Sequence, residues 1–330
     1  MIYDCFMFFN ELDVLDIRLH TLNEVVDRFI IIESPRTHTG ESKPLYFNEN
    51  RDRFRPFLHK ITHLIFTDYP EPPVDTPLQQ KYWYVENAQR NALIRGLSDA
   101  QPSDTIILSD LDEIPSPDAV QKAAKLPGIT RCSLRLYYYF LNFRDYTTPF
   151  WNQGTQICSY SELITGNQFK NFVYNDFVPR GANPGITMTM LRFVKPTRTL
   201  KNSGWHFSYI GGIKKVIKKL SSIADGVIPK NLSDEQIAER ILQGKDITTG
   251  RTRFFAEKIS QPVFPSYILE NLGSLKNLIF PITATYLKRT AHKRFFTSVR
   301  RTILSILIVI GRYSCPRPLK TILWNLIFKR

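Results

Sequence analysis

Short, continuous apolar runs alternate along the first third of the chain with stretches whose apolar residues recur at helical spacing. Met1–Phe9 reads as a buried strand and Asp16–Val26 as a helix carrying Ile17, Leu19, Leu22, Val25 and Val26. Phe29–Glu33 (Phe-Ile-Ile-Ile-Glu) is a second buried strand, ended by Ser34-Pro35 because the residue before proline is pushed out of a regular path. Ile61–Phe66 reads as a third strand, and Tyr69–Pro77, with four prolines, as a loop. The spacing predicts a helix over Trp83–Leu97, with Val85, Ala88, Ala92 and Leu93 on one side, and then a strand over Thr105–Leu108. Arg131–Phe140 and Gln156–Tyr160 read as further strands of mixed direction. Ile210–Ser222 reads as a basic helix, and Asp234–Leu242 as a helix capped by Ser233. Strands alternating with helices predict an α/β fold: a mixed, mostly parallel sheet flanked by helices. The sequence shows no internal repeat and no low-complexity tract.

Composition adds bounds. With 330 residues, 43% apolar and 13% aromatic, the chain can bury a sizeable core as one large domain with an appendage or as two smaller ones. Cys5, Cys132, Cys158 and Cys315 are scattered and form no CxxC pair, so neither a zinc ribbon nor a disulfide framework is expected. Reduced thiols of a cytoplasmic protein are the reading. The first strand-like run begins within two residues of Met1, so a cleaved signal peptide is not expected, and no run of about eighteen apolar residues suggests a spanning helix.

The net charge of +14 is unevenly placed. Glu270 is the last acidic residue; Asn271–Arg330 holds 12 of the 44 Lys and Arg, leaving 32 basic against 30 acidic residues before it. The body is nearly neutral and the tail cationic. Lys288–Arg301 interleaves Lys288, Arg289, Lys293, Arg294, Arg300 and Arg301 with Phe295 and Phe296. The runs Ile303–Ile310 and Leu319–Phe328 follow. Cationic charge beside short apolar helices predicts an interfacial anchor over residues 286–330, with the protein peripheral on the inner membrane face. Nucleic acid is not an expected partner, since that would spread basic and aromatic residues across the fold.

The candidate chemistry centres on Ser109-Asp110-Leu111-Asp112-Glu113, directly after the strand Thr105–Leu108. Open α/β sheets bind ligands at the carboxyl edge of their strands. In an extended segment residues i and i+2 share a side, so Asp110 and Asp112 can converge on one Mg²⁺ or Mn²⁺, hard cations that share their remaining positions with phosphate oxygens. Such a metal would neutralise a diphosphate leaving group. On the helix before it, Glu86 and Arg90 are i,i+4; they read either as a surface ion pair or as part of a site in which Arg90 or Asn91 touches a nucleotide. His206, among the aromatics of Gly204–Tyr209, reads as a core histidine unless the fold brings it beside Asp112. Lys214, Lys215, Lys218 and Lys219 either face a pyrophosphate or form a solvated face.

Taken together, the motifs have the order of a known family. Ile2–Asp13; Phe29–Glu33 with Arg36-Thr37-His38-Thr39-Gly40 and Lys43–Phe47; Gln89-Arg90-Asn91; Ser109–Pro115; Gly204–Tyr209 with Gly211-Gly212; Gly244-Lys245-Asp246; and Pro265–Asn271 resemble glycosyltransferase family 17 over roughly residues 2–272. The resemblance implies a GT-A-like domain over 1–272; the cationic sequence beyond it reads as a basic helical extension over 273–330. It implies transfer of a sugar, GlcNAc from UDP-GlcNAc, with inversion to a β-linkage on a glycan or lipid-linked saccharide. It also implies a divalent cation, Mn²⁺ or Mg²⁺, held by Asp110, Asp112 and His206. Donor contacts fall by the same resemblance to Phe8, Asn10, Glu33, Arg36, Gln89, Arg90, Asn91, Asp110, Trp205 and Lys214, and catalysis to Asp112 and Glu113. Ser221–Gly226 departs from the pattern in lacking a histidine. An inverting transfer needs a carboxylate base; Glu113, Asp145, Glu162 and Asp176 all remain open for it.

Two other readings compete. A metal-dependent phosphoesterase needs a second metal and therefore more clustered carboxylates and histidines than the one acidic cluster supplies. A non-catalytic basic module for membranes rests on the tail alone.

Overall fold

The computed structural model describes residues 1–165, 188–222 and 232–284, together with Tyr286 and Thr290. Asp176, the remainder of the basic tail and the end of the Ser221–Gly226 stretch lie outside the described residues. Strand β1 (Ile2–Phe8) is followed by helix α1 (Leu12–Leu22), β2 (Arg28–Glu33), the short α2 (Tyr46–Glu49) and a 3-10 stretch (Arg51–Lys60). Then come β3 (Ile61–Ile65), α3 (Leu78–Ala92) with its 3-10 continuation (Leu93–Leu97), β4 (Thr105–Leu108), β5 (Glu113–Pro115) and α4 (Pro117–Ala123). The middle of the chain forms β6 (Thr130–Cys132), β7 (Leu134–Tyr138), β8 (Phe143–Asp145), β9 (Phe150–Trp151), β10 (Gln156–Ser159) and α5 (Tyr160–Thr165). Beyond it lie α6 (Met188–Phe193), β11 (Arg198–Leu200), β12 (Gly204–Ser208), α7 (Ile213–Ser222), α8 (Asp234–Leu242), β13 (Phe254–Ala256) and α9 (Ser266–Glu270).

Two sheets result. The first runs β11-β6-β10-β4-β1-β2-β3, with β3, β2, β1 and β4 mutually parallel and β10 antiparallel to both β4 and β6. Its central strands are buried on both faces, which is why they read as unbroken apolar runs. Cys5, Ile30, Ile32, Ile106 and Leu108 face one layer of core, and Phe6, Phe8, Phe29, Ile31 and Ile107 the other. Helix α1 covers the second face with Leu15, Ile17, Leu19 and Leu22, all fully buried. An isolated 11-residue helix is marginal in water, so this burial, about 1.5–3 kcal/mol per large apolar side chain, is what holds it.

The second sheet runs β13-β8-β7-β12-β5, with β9 also on β7. The apolar run Arg131–Phe140 is divided between the two sheets: β6 belongs to the first and β7 to the second. The break is at Ser133, whose N–H donates to Leu200 O and whose carbonyl accepts from Ser203 N–H. Strand β5 follows the acidic segment directly and pairs antiparallel with β12, placing His206 opposite Glu113. Gly204 at φ +149° makes that pairing possible, because a Cβ there would lie 2.2 Å from the Ile114 carbonyl oxygen. Helix α4 begins at Ser116, whose hydroxyl accepts from Ala119 N–H, with Pro117 in its first turn; α8 carries the Ser233–Gln236 capping box.

Past α9 the chain stays on the body: Leu275 and Leu278 are buried, Leu278 O accepts from Leu141 N–H, and Asn142 Oδ1 accepts from Phe280 N–H. Among the described residues no helix is long and apolar enough to cross a membrane.

Candidate active site

A cavity of about 650 Å³ opens at the carboxyl ends of β1, β2 and β4 and is closed on its far side by β12 and α7. Its floor is the acidic segment. That segment is a tight turn rather than an extended strand end: Glu113 N–H donates to Asp110 O, and Asp110 N–H donates to the Glu113 carboxylate at 3.1 Å. Both Asp110 and Asp112 line the cavity, but the turn directs them to different cations.

Asp110 lies 2.7 Å from Arg192 Nη2 and 3.4 Å from Arg90 Nη2. Burial pushes its carboxyl up, but the two guanidiniums outweigh that and hold it below the usual range. Asp112 lies 3.1 Å from Lys219 Nζ and 3.5 Å from His206 Nε2. Burial again opposes ionisation, and the Lys219 ammonium followed by His206 wins, leaving the Asp112 carboxyl well below the ordinary carboxylate value. Lys219 also reaches Glu11 at 2.8 Å; burial disfavours its charge, yet Asp112 and Glu11 hold its pKa well above that of a free lysine. Glu113, almost fully buried, takes Arg192 on both oxygens (2.8 and 2.9 Å) and the Trp151 indole N–H at 2.6 Å. Buried charges are tolerated only when paired and hydrogen-bonded in this way.

Beneath the turn, Arg18 of α1 is fully buried. Its Nε donates to Asp4 at 2.8 Å, Nη2 donates to Asp4 and to Ser109 Oγ, and Nη1 lies 3.1 Å from the carbonyls of Asp110, Leu111 and Glu113. One guanidinium thus ties β1 and α1 to the backbone of the acidic turn.

With this geometry in view, comparison with known proteins is decisive for the family. A sequence profile of glycosyltransferase family 17 matches residues 1–165, half of the chain. The chain belongs to glycosyltransferase family 17. The human and rat beta-1,4-mannosyl-glycoprotein 4-beta-N-acetylglucosaminyltransferases are each 33% identical to it over 117 residues, and the mouse protein of that name 32%. Those matches cover 34% of this chain and 21% of each relative, so the chain matches about a fifth of their length.

Of the residues that the family resemblance suggested, Phe8, Arg36, Gln89, Asp110, Asp112, Glu113 and His206 line the cavity. Arg90 stands behind Asp110, 1% exposed and bound to Glu86 at 2.6 Å; the i,i+4 pair is therefore buried support rather than a surface bridge. Glu33 is wholly buried, accepting from Phe47 N–H and pairing with Lys43. Asn91 accepts from Thr189 N–H at the start of α6, and the Trp205 indole donates to Val263 O. Asn10 and Lys214 are not on the cavity wall. Of the carboxylates weighed as the base, Asp145 is fully buried and holds Arg253, and Glu162 lies on α5, both away from the cavity.

Sequence reasoning missed Glu11, Arg192 and Trp151. Glu11 was inside a quoted motif, but nothing distinguished it there. Arg192 sits in Met-Thr-Met-Leu-Arg-Phe, a segment without any motif.

The residues present suit a divalent cation. Two carboxylates two residues apart face the cavity, and the buried His206 Nδ1 finds no hydrogen-bond partner among the described residues. No group of three or more His, Cys, Asp or Glu gathers there at coordination spacing among those residues. Positions left over would fall to phosphate and water, the habit of Mg²⁺ and Mn²⁺.

Proposed function

We propose that this protein is an inverting N-acetylglucosaminyltransferase. It takes GlcNAc from UDP-GlcNAc and passes it, in β-linkage, to a hydroxyl of a glycan or lipid-linked saccharide. The observation that carries this reading is the cavity at the carboxyl edge of the parallel strands, with the Asp110–Asp112 turn at its floor and Arg192, Lys219 and His206 around it. Family membership and the names of the mammalian relatives support the sugar.

Asp112 with His206 beside it would hold the divalent cation, with Asp110 two residues away on the same turn, and the cation would supply positive charge to the diphosphate as the glycosidic bond breaks. The chain's own residues do the rest. Arg18 fixes the height of the turn, and Arg90 and Arg192 fix the direction of the Asp110 carboxylate. Glu113, itself held by the Trp151 indole, locks Arg192. Such preorganised charge costs no reorientation during reaction, which is why it lowers a barrier effectively. The aromatic rings of Phe8, Phe9 and Trp83 on the same wall offer apolar surface to a nucleoside.

The test is release of UDP from UDP-GlcNAc with Mn²⁺, with and without a panel of glycan and lipid-linked acceptors. Acceptor-dependent release with a glycosylated product supports the reading. Release that is acceptor-independent, or release from phosphate esters generally, points instead to a hydrolase. The basic tail is proposed to dock on an anionic membrane, placing the enzyme on the inner face. Sedimentation with anionic and neutral vesicles at low and high salt tests this, and protein that stays in solution throughout refutes it.

A further inference from the structure

Four lysines stand on α7, and the helix sends them to different places. The positive-φ glycines Gly211 and Gly212 turn the chain after β12, so that α7 lies along the cavity wall with Val216 buried in the core. Lys215 reaches Asp13 at 3.7 Å and Lys218 reaches the Tyr46 hydroxyl at 3.0 Å, both at the rim. Lys219 alone of the four enters the cavity lining, and its side chain is 16% exposed.

There its ammonium sits between Glu11 and Asp112, at 2.8 and 3.1 Å, with the Tyr209 ring 5.4 Å away. Two carboxylates share this one ammonium, so of the three groups Lys219 is the one that can attract a phosphate. The neighbouring cations are differently held. Arg192 is fixed by contacts to Glu113 and Asp110, and Lys43 is tied to Glu33 beside the Phe9 and Tyr46 rings. Lys219 has a four-carbon stem that can swing its point charge from a carboxylate to an incoming oxygen.

We propose that Lys219 is the side chain that grips the diphosphate of the nucleotide: the ammonium turns from Asp112 to a phosphate oxygen while Glu11 keeps it in place. This rests on the glycosyltransferase reading of the cavity. It selects Lys219 from the four lysines that the sequence offered to a pyrophosphate, and not Lys214, the donor contact suggested by the family resemblance, which is not on the cavity wall.

Binding of UDP, UMP and uridine is measured by calorimetry in EDTA, so that side chains alone are compared, for the wild type, Lys219→Met, Lys219→Gln and Lys219→Arg. A hydrogen bond between charged groups predicts that the Met and Gln variants lose about tenfold or more in UDP affinity. Uridine affinity stays unchanged, and Arg retains most of the UDP affinity. Circular dichroism identifies any variant that does not fold, and the Gln variant, close in length and polarity to lysine, then carries the comparison. Equal loss for UDP and uridine, or no loss for UDP, overturns the assignment of Lys219. A wild-type protein that binds UDP no better than uridine when Mn²⁺ is supplied in place of EDTA overturns the nucleotide-diphosphate reading of the whole cavity, a separate result.

Discussion

Arg18 offers the sharpest test of how this site is built. Replacing it with Met keeps much of the stem but leaves Asp4, 0% exposed, without its partner and takes one donor from each of three turn carbonyls, of which Asp110 O keeps the Glu113 N–H and Glu113 O the Thr155 hydroxyl. Breaking a buried ion pair from one side costs about 3–5 kcal/mol, because the remaining charge stays buried and unpaired. Unsatisfied buried carbonyls cost about 1–3 kcal/mol each when they cannot reach water, though these losses do not add fully. Against a total stability of about 5–15 kcal/mol, Arg18→Met is expected to remove about 4 kcal/mol or more, near the limit of folding. Urea unfolding followed by circular dichroism measures it. The companion is Asp4→Leu, alone and combined with Arg18→Met. Once both charges are gone no lone ion remains, so the double variant should be more stable than the sum of the single losses predicts. In catalysis the double variant should still fail, because the turn carbonyls have lost their anchor. A loss under about 1 kcal/mol in Arg18→Met, or strict additivity in the pair, would refute the clamp.

Three further outcomes follow from the same geometry. Asp112→Asn should fold normally and lose at least ~10²-fold in turnover, the scale of one key electrostatic group; near-normal turnover sinks the assignment. Gly204→Ala must push its new methyl against Ile114 O while adopting φ near +149°, so it should lower the melting temperature and weaken the pairing of β12 with β5, measured by thermal unfolding and hydrogen exchange; an unchanged melting temperature refutes it. The carboxyl of Asp112 sits lower in the folded protein than in the unfolded chain, so its contribution to stability is present above the ordinary carboxylate range, about pH 4, and is lost as pH falls through the depressed value. Lys219→Met should therefore flatten the acid limb of a stability–pH profile, and a limb of unchanged slope contradicts this.

The parallel core was legible because its strands are buried on both faces and so cannot hide among polar residues. Ile2–Phe8, Arg28–Glu33, Ile61–Ile65 and Thr105–Leu108 fall within a residue or two of their expected spans. The second sheet was legible only in part: β7 lies within the expected strand Arg131–Phe140, but β5, β8, β9 and β13 are two or three residues long, too short for a pattern to register, and that run gives no sign that Ser133 divides it between sheets. Gly204–Ser208 looked like an aromatic-rich motif around a histidine; only strand pairing reveals that it sets His206 across from Glu113. Trp205 and Glu33 show the opposite error available to motif reading. Both lie in stretches of the family pattern, yet one indole N–H is spent on Val263 O and the other carboxylate on Phe47 N–H. A shared motif marks what a family needs, and structural support is one such need.

The distribution of charge around the cavity explains why Arg192 escaped the sequence. Glu11, Glu86, Asp110, Asp112 and Glu113 all come from the first 113 residues, within the stretch that matches the family, which also brings Arg90 beside Glu86 and Asp110 and Lys43 to the same cavity. Arg192, His206 and Lys219 come from beyond residue 165. Acidic residues held this close and this deep repel one another strongly in a low dielectric, so the first half needs the second for neutralisation as much as for packing. The counter-charges can be supplied from different helices and strands provided they arrive at the same points in space. Their sequence context is therefore less constrained than that of the acidic turn, whose backbone must also make the Asp110–Glu113 bond and meet Arg18. The turn leaves a readable motif for that reason, while Arg192 leaves none.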